Sequence, residues 1–313
     1  MRTEDSDGLP AVRISDLDDL VHLVPTLLGF HPRDSLALIL ISGGRVLVTA
    51  RVDLDAVPGE VDLAAALAPL WEGHEPGLCA AIAYGRLEAA CLALDAVADV
   101  LPADWALARA VVDGDRWCEP WCGAWRPYDP ASSRITAEAV YRGRPLLPDR
   151  GALASLLGDG GGAAAAVAVE RVLGLPPDEI VRAGTALWEG LSAEPRAVDA
   201  DEAALLAVAA HAPGLTWRVL AALDRHTALS QRALWADVVH AVPLEVGLAA
   251  TGLVGLAGWV DGDGALANVC LERAAPWADG CPWYRFLDAV TSGGVHPDEW
   301  ASLRDELWPP RAA

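Results

Sequence analysis

The feature that most limits how this chain folds is the stretch from Leu27 to Leu54. Gly29 follows the helically spaced apolar set Leu17, Leu20, Val21, Val24, Leu27 and Leu28, and a glycine there is a natural helix stop. A polar loop, His31-Pro32-Arg33-Asp34-Ser35, then leads into Leu36 to Ile41, which is apolar at every position, as in a strand covered on both faces. Gly43-Gly44 marks a tight hairpin turn, and the return strand alternates, with Val46, Val48, Ala50, Val52 and Leu54 on one side and Thr49, Arg51 and Asp53 on the other. Ser15 with Asp18 forms a variant of the capping box, so the first helix is expected from about Asp16 to Leu28.

Downstream, Val61 to Trp71 reads as a helix, Leu78 to Tyr84 as a strand, Leu87 to Leu101 as a helix and Trp105 to Val112 as a strand. The expected order is α-β-β-α-β-α-β, a mixed sheet built from a hairpin and two crossover helices. Past residue 162 the pattern turns helical: Ala163 to Leu173, Asp178 to Leu191, Ala200 to His211, Leu215 to His226, Ser230 to Val242 and Leu244 to Val260 are Ala- and Leu-rich runs divided by Pro or Gly. The fold class is therefore α/β followed by all-α. Expected domains are an α/β domain over 1–115, a Trp-, Cys-, Pro- and Gly-rich connecting segment and linker over 116–162, and a helical domain over 163–313. Within the last, 248–279 faintly resembles a tetratricopeptide hairpin, with Gly258, Ala267 and Ala274 small enough for two helices to press together.

Charge narrows the range of partners. With 44 acidic against 23 basic residues the formal charge is −21, which repels phosphate backbones and anionic lipid heads and argues against nucleic acid and membrane partners. Every basic residue is arginine, so neither a Schiff-base lysine nor a Walker-type lysine is available. The acidic start Met1-Arg2-Thr3-Glu4-Asp5 is unlike a secretory signal, and the uncharged run Val246 to Val260 is too short to cross a bilayer. Six unevenly spaced cysteines do not read as a disulfide framework, so a cytoplasmic protein with reduced thiols is expected.

Strand direction nominates a site. The hairpin sets the start of the first strand beside the end of the second, and each crossover keeps the later strands parallel to the second. Their ends then share one rim, carrying His31, Asp34, Ser35, Arg51, Asp53, Tyr84, Arg116 and Trp117, where open α/β sheets bind ligands. His31 with Asp34 offers an imidazole and a carboxylate on one loop; the plainer reading is that this loop shapes itself with those side chains. Arg51 and Asp53 either pair on the surface or present a guanidinium fork to a small anionic ligand.

Leu28-Gly29-Phe30-His31-Pro32 with Asp34-Ser35, Thr49-Ala50-Arg51-Val52-Asp53-Leu54, Arg116-Trp117, Tyr128-Asp129-Pro130 with Ala137-Glu138-Ala139, and Gly262-Asp263-Gly264-Ala265-Leu266-Ala267 occur in this order. The series resembles the functionally uncharacterised domain-of-unknown-function family 4192 of high-GC Gram-positive bacteria, over nearly the whole chain. The resemblance implies no particular activity.

Other patterns carry less. Cys118 and Cys122 supply two thiols of a zinc site, but no second pair follows at finger spacing, and thiols packed among Trp117, Trp121 and Trp125 fit better. Gly158-Asp159-Gly160-Gly161-Gly162-Ala163 has the letters of a dinucleotide fingerprint but follows a helix-like segment, so its glycines read as linker. Asp261, Asp263 and Glu272 match calcium-loop spacing while Ala265 and Leu266 break it. Asp237 and His240 share a helix face without a second metal-binding pair, and Trp188, Trp217, Trp235, Trp259, Trp277, Trp283, Trp300 and Trp308 suit either a partner groove or a core.

No cofactor, metal site or catalytic residue is assigned. The favoured expectation is a non-enzymatic module that senses a small ligand at the rim and binds a protein partner through its helical half. The alternative is a small-molecule hydrolase or transferase using His31, Asp34, Arg51 and Asp53.

Overall fold

A computed structural model describes residues 14, 16–57, 62–72, 75–141, 146–158, 160–161 and 163–307. The chain divides into two compact units, Met1–Leu67 with His74–Leu146 and Ala68–Gly73 with Leu147–Ala313.

In the first unit the elements are α1 (Leu17–Leu28), β1 (Ser35–Ser42), β2 (Arg45–Asp53), the start of α2 (Leu63–Glu72), β3 (Leu78–Tyr84), α3 (Leu87–Val100), β4 (Ala106–Asp113), β5 (Arg116–Cys118), β6 (Arg126–Pro127) and α4 (Arg134–Tyr141). The sheet has six strands in the order β2-β1-β3-β4-β5-β6. β1 is antiparallel to both neighbours and β3 is parallel to β4, so the sheet is mixed, as the hairpin and crossovers require. β5 and β6 extend it within the segment expected to be a connection. Their short length gives no periodicity to read.

Local chemistry explains the boundaries. Asp16 caps α1 by accepting from the Asp19 N–H, while Ser15 lies outside the described residues. Gly29 ends that helix at φ +75, and Gly43 and Gly44 make the hairpin turn at φ +57 and +79. Leu36 to Leu40 are buried because β1 sits between β2 and β3 with helices on both faces. α1 covers the face bearing Tyr84, whose hydroxyl reaches it, and α3 covers the face bearing Arg109, which pairs with Asp95.

The second unit is helical: α5 (Arg150–Ser155), α6 (Ala163–Leu173), α7 (Pro177–Ala193), α8 (Ala200–Ala209), α9 (Pro213–Ala222), α10 (Ala228–Ala241), α11 (Leu244–Val260), α12 (Gly264–Ala274), α13 (Pro282–Ser292) and α14 (Trp300–Leu307). α11 is buried almost throughout and forms its centre. The α11–α12 hairpin closes through Asp263, which caps Leu266 and pairs with Arg232 of α10 at 3.0 Å. Gly161 presses against α10, since a Cβ there would lie 2.1 Å from the Ala241 carbonyl oxygen; Asp159 and Gly162 of the same glycine stretch lie outside the described residues. Among the described residues no single helix is long and apolar enough to cross a membrane.

Four tryptophans of this unit, Trp188, Trp235, Trp259 and Trp300, are buried in its core, while Trp217, Trp277 and Trp283 are half-buried. Trp259, Trp300 and Phe286 meet edge to face with centroids 6.1–6.3 Å apart. Gln231, fully enclosed, accepts from the Trp188 indole at 2.9 Å and the Trp235 indole at 3.2 Å, and donates to the Ser192 hydroxyl at 3.0 Å. Trp308 lies outside the described residues.

Candidate functional site

Sheet register assembles the rim. Ser35 of β1 pairs with Asp53 of β2 on one side and Tyr84 of β3 on the other, and Tyr84 pairs with Val112 of β4. Backbone bonds tie the strand ends: the Leu54 N–H donates to the Asp34 carbonyl at 2.9 Å and the Gly85 N–H to the Val112 carbonyl at 2.9 Å. Gly85 is needed where these lines converge. Its φ is +151, and a Cβ would lie 2.7 Å from Leu54 Cδ1 and 3.4 Å from Asp34 Oδ1.

Ser35, Arg51 and Asp53 lie on one face and interact directly. Arg51 Nε donates to Ser35 Oγ at 3.0 Å, and Arg51 Nη2 is hydrogen-bonded to Asp53 Oδ1. The Ser35 hydroxyl in turn donates to the Arg33 carbonyl, so one buried serine orients the guanidinium and pins the loop. The Arg51 side chain is 19% exposed, and its remaining N–H groups have no protein partner among the described residues.

Asp34 is exposed with φ +42, a left-handed conformation that aspartate tolerates better than most side chains. His31 is half-buried, and its imidazole has no hydrogen-bond partner among the described residues. Burial first, and the nearby Arg33 guanidinium second, hold its pKa below the ordinary 6.5. Both effects favour the neutral ring, and His31 and Asp34 do not form a hydrogen-bonded acid–base pair among the described residues.

The remaining rim residues serve the scaffold. Tyr84 is buried, with its hydroxyl donating to the Val21 carbonyl of α1 at 3.2 Å. Trp117 is fully buried, and its indole donates to Asp18 Oδ1 at 2.9 Å in the first turn of α1. Arg116 belongs to the opposite face of the sheet, because strand neighbours alternate and Trp117 points to α1. Its guanidinium lies 4.5 Å from the Trp125 ring centroid and 3.8 Å from Asp113, away from Arg51.

The residue that sequence reasoning passed over is Arg33. It is exposed and has no ion-pair partner among the described residues, although it sits between His31 and Asp34. Its signal was its place in the rim loop of a chain short of cations.

In the second unit, a cleft of about 260 Å3 lies between the end of α7 and α10, lined in part by Leu191, Pro195, Arg196, Leu234 and Asp237. Arg196 is taken up by Glu202 through two hydrogen bonds. Among the described residues no group of three or more His, Cys, Asp or Glu side chains is placed to hold a metal ion, and Glu272 of the calcium-like spacing pairs with Arg150.

No curated protein and no solved structure matches the chain. A family model described as Domain of unknown function (DUF4192) matches residues 18–298, which includes every rim residue above. The chain belongs to that family.

Proposed function

We propose that the N-terminal unit is a non-catalytic receptor for a small anion, a carboxylate or phosphate, taken at the rim by Arg33 and Arg51 beside His31. The observation that carries this reading is Arg33: an exposed guanidinium without an ion-pair partner among the described residues, in a chain with 44 acidic residues and 23 basic ones. The Ser35 hydroxyl bonds the Arg33 carbonyl and accepts from Arg51, so an exposed arginine without an ion pair among the described residues and a pre-oriented arginine are tied to the same serine, an arrangement that favours an incoming anion.

Arg51 contributes direction. Ser35 and Asp53 fix its plane, leaving donors that suit two oxygen atoms of one ligand. Neutral His31 adds a hydrogen-bond donor or acceptor at little cost, because its ring is already partly withdrawn from water. The hydrolase or transferase reading needs His31 oriented by a carboxylate, and no such hydrogen bond exists among the described residues.

The helical unit carries contact with a protein partner in this proposal, supported by Val167, Leu173 and Leu175, large apolar side chains left exposed on and just after α6. Cytoplasmic residence is part of the same reading, consistent with six unpaired cysteines.

The test is thermal unfolding with inorganic phosphate or acetate at constant ionic strength. Binding to the folded state alone raises stability by about 2.7 kcal/mol at 100 times Kd. The wild type is expected to gain Tm, and Arg33→Ala and Arg51→Ala to lose most of that gain. Equal gains in all three proteins, or none in the wild type, overturn the proposal.

A further inference from the structure

Three of the six free thiols belong to the N-terminal unit near its sheet margin: Cys91 on α3, Cys118 at the end of β5 and Cys122 four residues later. Cys118 pairs with Val111 in the β4–β5 register, so it lies on the same face as Arg109, two residues back along β4. Arg109 meets Asp95 of α3 at 3.0 Å. α3 returns antiparallel to β4 in its crossover, so Cys91, one turn before Asp95, is displaced along the strand toward residue 111 and thus toward Cys118. The Cys118 pKa is raised chiefly by burial, then by Cys91 and Cys122, which agrees with the placement that register and chain connectivity dictate.

Cys122 is the exposed member. Its N–H donates to the Glu119 carbonyl at 3.2 Å, closing a four-residue turn immediately after Cys118. Such a turn holds the Cα atoms of Glu119, the residue after Cys118, and Cys122 within about 7 Å. Trp121 inside it has φ +69, a conformation costing a bulky side chain about 1–2 kcal/mol. The backbone is thus bent back on itself at this point. The three sulfur atoms are not placed to share a metal ion.

We propose that Cys122 and Cys118 form a dithiol that hydroperoxides oxidise to a disulfide, Cys122 reacting first and Cys118 resolving it. The Cys122 thiolate attacks one peroxide oxygen, the O–O bond breaks, and the departing oxygen takes up a proton as water or an alcohol. The resulting sulfenic acid is attacked by the Cys118 sulfur: an S–S bond forms, the S–O bond breaks, and oxygen leaves as water with the Cys118 proton. The two thiols give up two electrons and two protons in all, and the hydroperoxide is the oxidant reduced. The accessibility order, Cys122 exposed and Cys118 buried, sets which sulfur meets peroxide. Cys118 directly follows Trp117, whose indole holds Asp18 of α1, so the disulfide forms next to the tie between β5 and that helix.

The experiment exposes the full chain to hydrogen peroxide, blocks remaining thiols with iodoacetamide, and maps cysteine states by non-reducing proteolysis and mass spectrometry. The expected product is a Cys118–Cys122 disulfide in most molecules, reversed by a small thiol. Cys118→Ser is expected to accumulate a dimedone-reactive sulfenic acid at Cys122, Cys122→Ser to leave Cys118 reduced, and Cys91→Ser to leave the disulfide unaffected. Since Cys122 is exposed, its serine variant reports on chemistry without disturbing the fold. A Cys91–Cys118 disulfide, over-oxidation of Cys122 without a disulfide, or unchanged thiols under conditions that oxidise free cysteine overturns the proposal.

Discussion

The Tyr84 hydroxyl donates to the Val21 carbonyl at 3.2 Å, and that carbonyl is the one Pro25, four residues on in α1, has no N–H to serve. A proline inside a helix leaves one acceptor open, and here a buried tyrosine from β3 fills it. Tyr84→Phe is expected to cost about 1–3 kcal/mol, the penalty of a buried unpaired carbonyl. In a Pro25→Ala background the restored N–H takes over, and the same change should cost at most about half as much. A double-mutant cycle in urea measures the difference. Equal costs in both backgrounds contradict the relationship.

That pair also shows why periodicity and site prediction diverged. Leu78 to Tyr84 and Leu244 to Val260 were readable to the residue, because long apolar runs bounded by Gly and Pro record burial directly. The convergence of Ser35, Asp53 and Tyr84 was readable too, since strand direction dictates it. What the pattern lacked was the third dimension: that α1 lies over the face of Tyr84 and Trp117 and takes both side chains into the scaffold. β5 and β6 were missed because three- and two-residue strands have no period. Arg33 was passed over because a missing ion-pair partner is a property of folded neighbours.

Gly85→Ala tests the convergence of the strand ends. At φ +151 an added Cβ is strained whatever room it finds, so the cost is expected at about 1–3 kcal/mol. Gly114, at φ +65 with open space around it, provides the control, at about 1 kcal/mol on substitution by alanine. Chemical denaturation of the two variants should rank Gly85→Ala as the more damaging; the reverse order contradicts the geometry.

His31 makes stability depend on pH in a defined direction. Its folded pKa lies below 6.5, so the unfolded chain takes up a proton first as pH falls. Stability is therefore lost as pH drops below 6.5 toward the folded value, and the loss levels off beneath that value. Well above 6.5 both states are neutral and His31 contributes almost no slope. The Tm difference between wild type and His31→Gln should be constant from pH 7 to 8, then shift against the wild type by pH 5.5. A difference that does not change with pH contradicts the burial of the ring.

In the helical unit, Gln231 serves two indoles through one carbonyl oxygen. Gln231→Leu strands the Trp188 and Trp235 N–H groups and is expected to cost about 2–4 kcal/mol in denaturant unfolding. Adding Trp188→Phe removes one stranded donor, so the double variant should fall short of additivity. Fully additive losses contradict the shared acceptor.

The most direct measurement of the receptor proposal is an NMR titration of the arginine side-chain N–H resonances with inorganic phosphate, with Arg33→Ala and Arg51→Ala providing assignments. Saturable shifts at the Arg33 and Arg51 Nε–H signals with a common Kd, absent from Arg116 and Arg196, are the predicted result. Shifts spread evenly over all arginines, or none at Arg33 and Arg51, contradict the proposed rim.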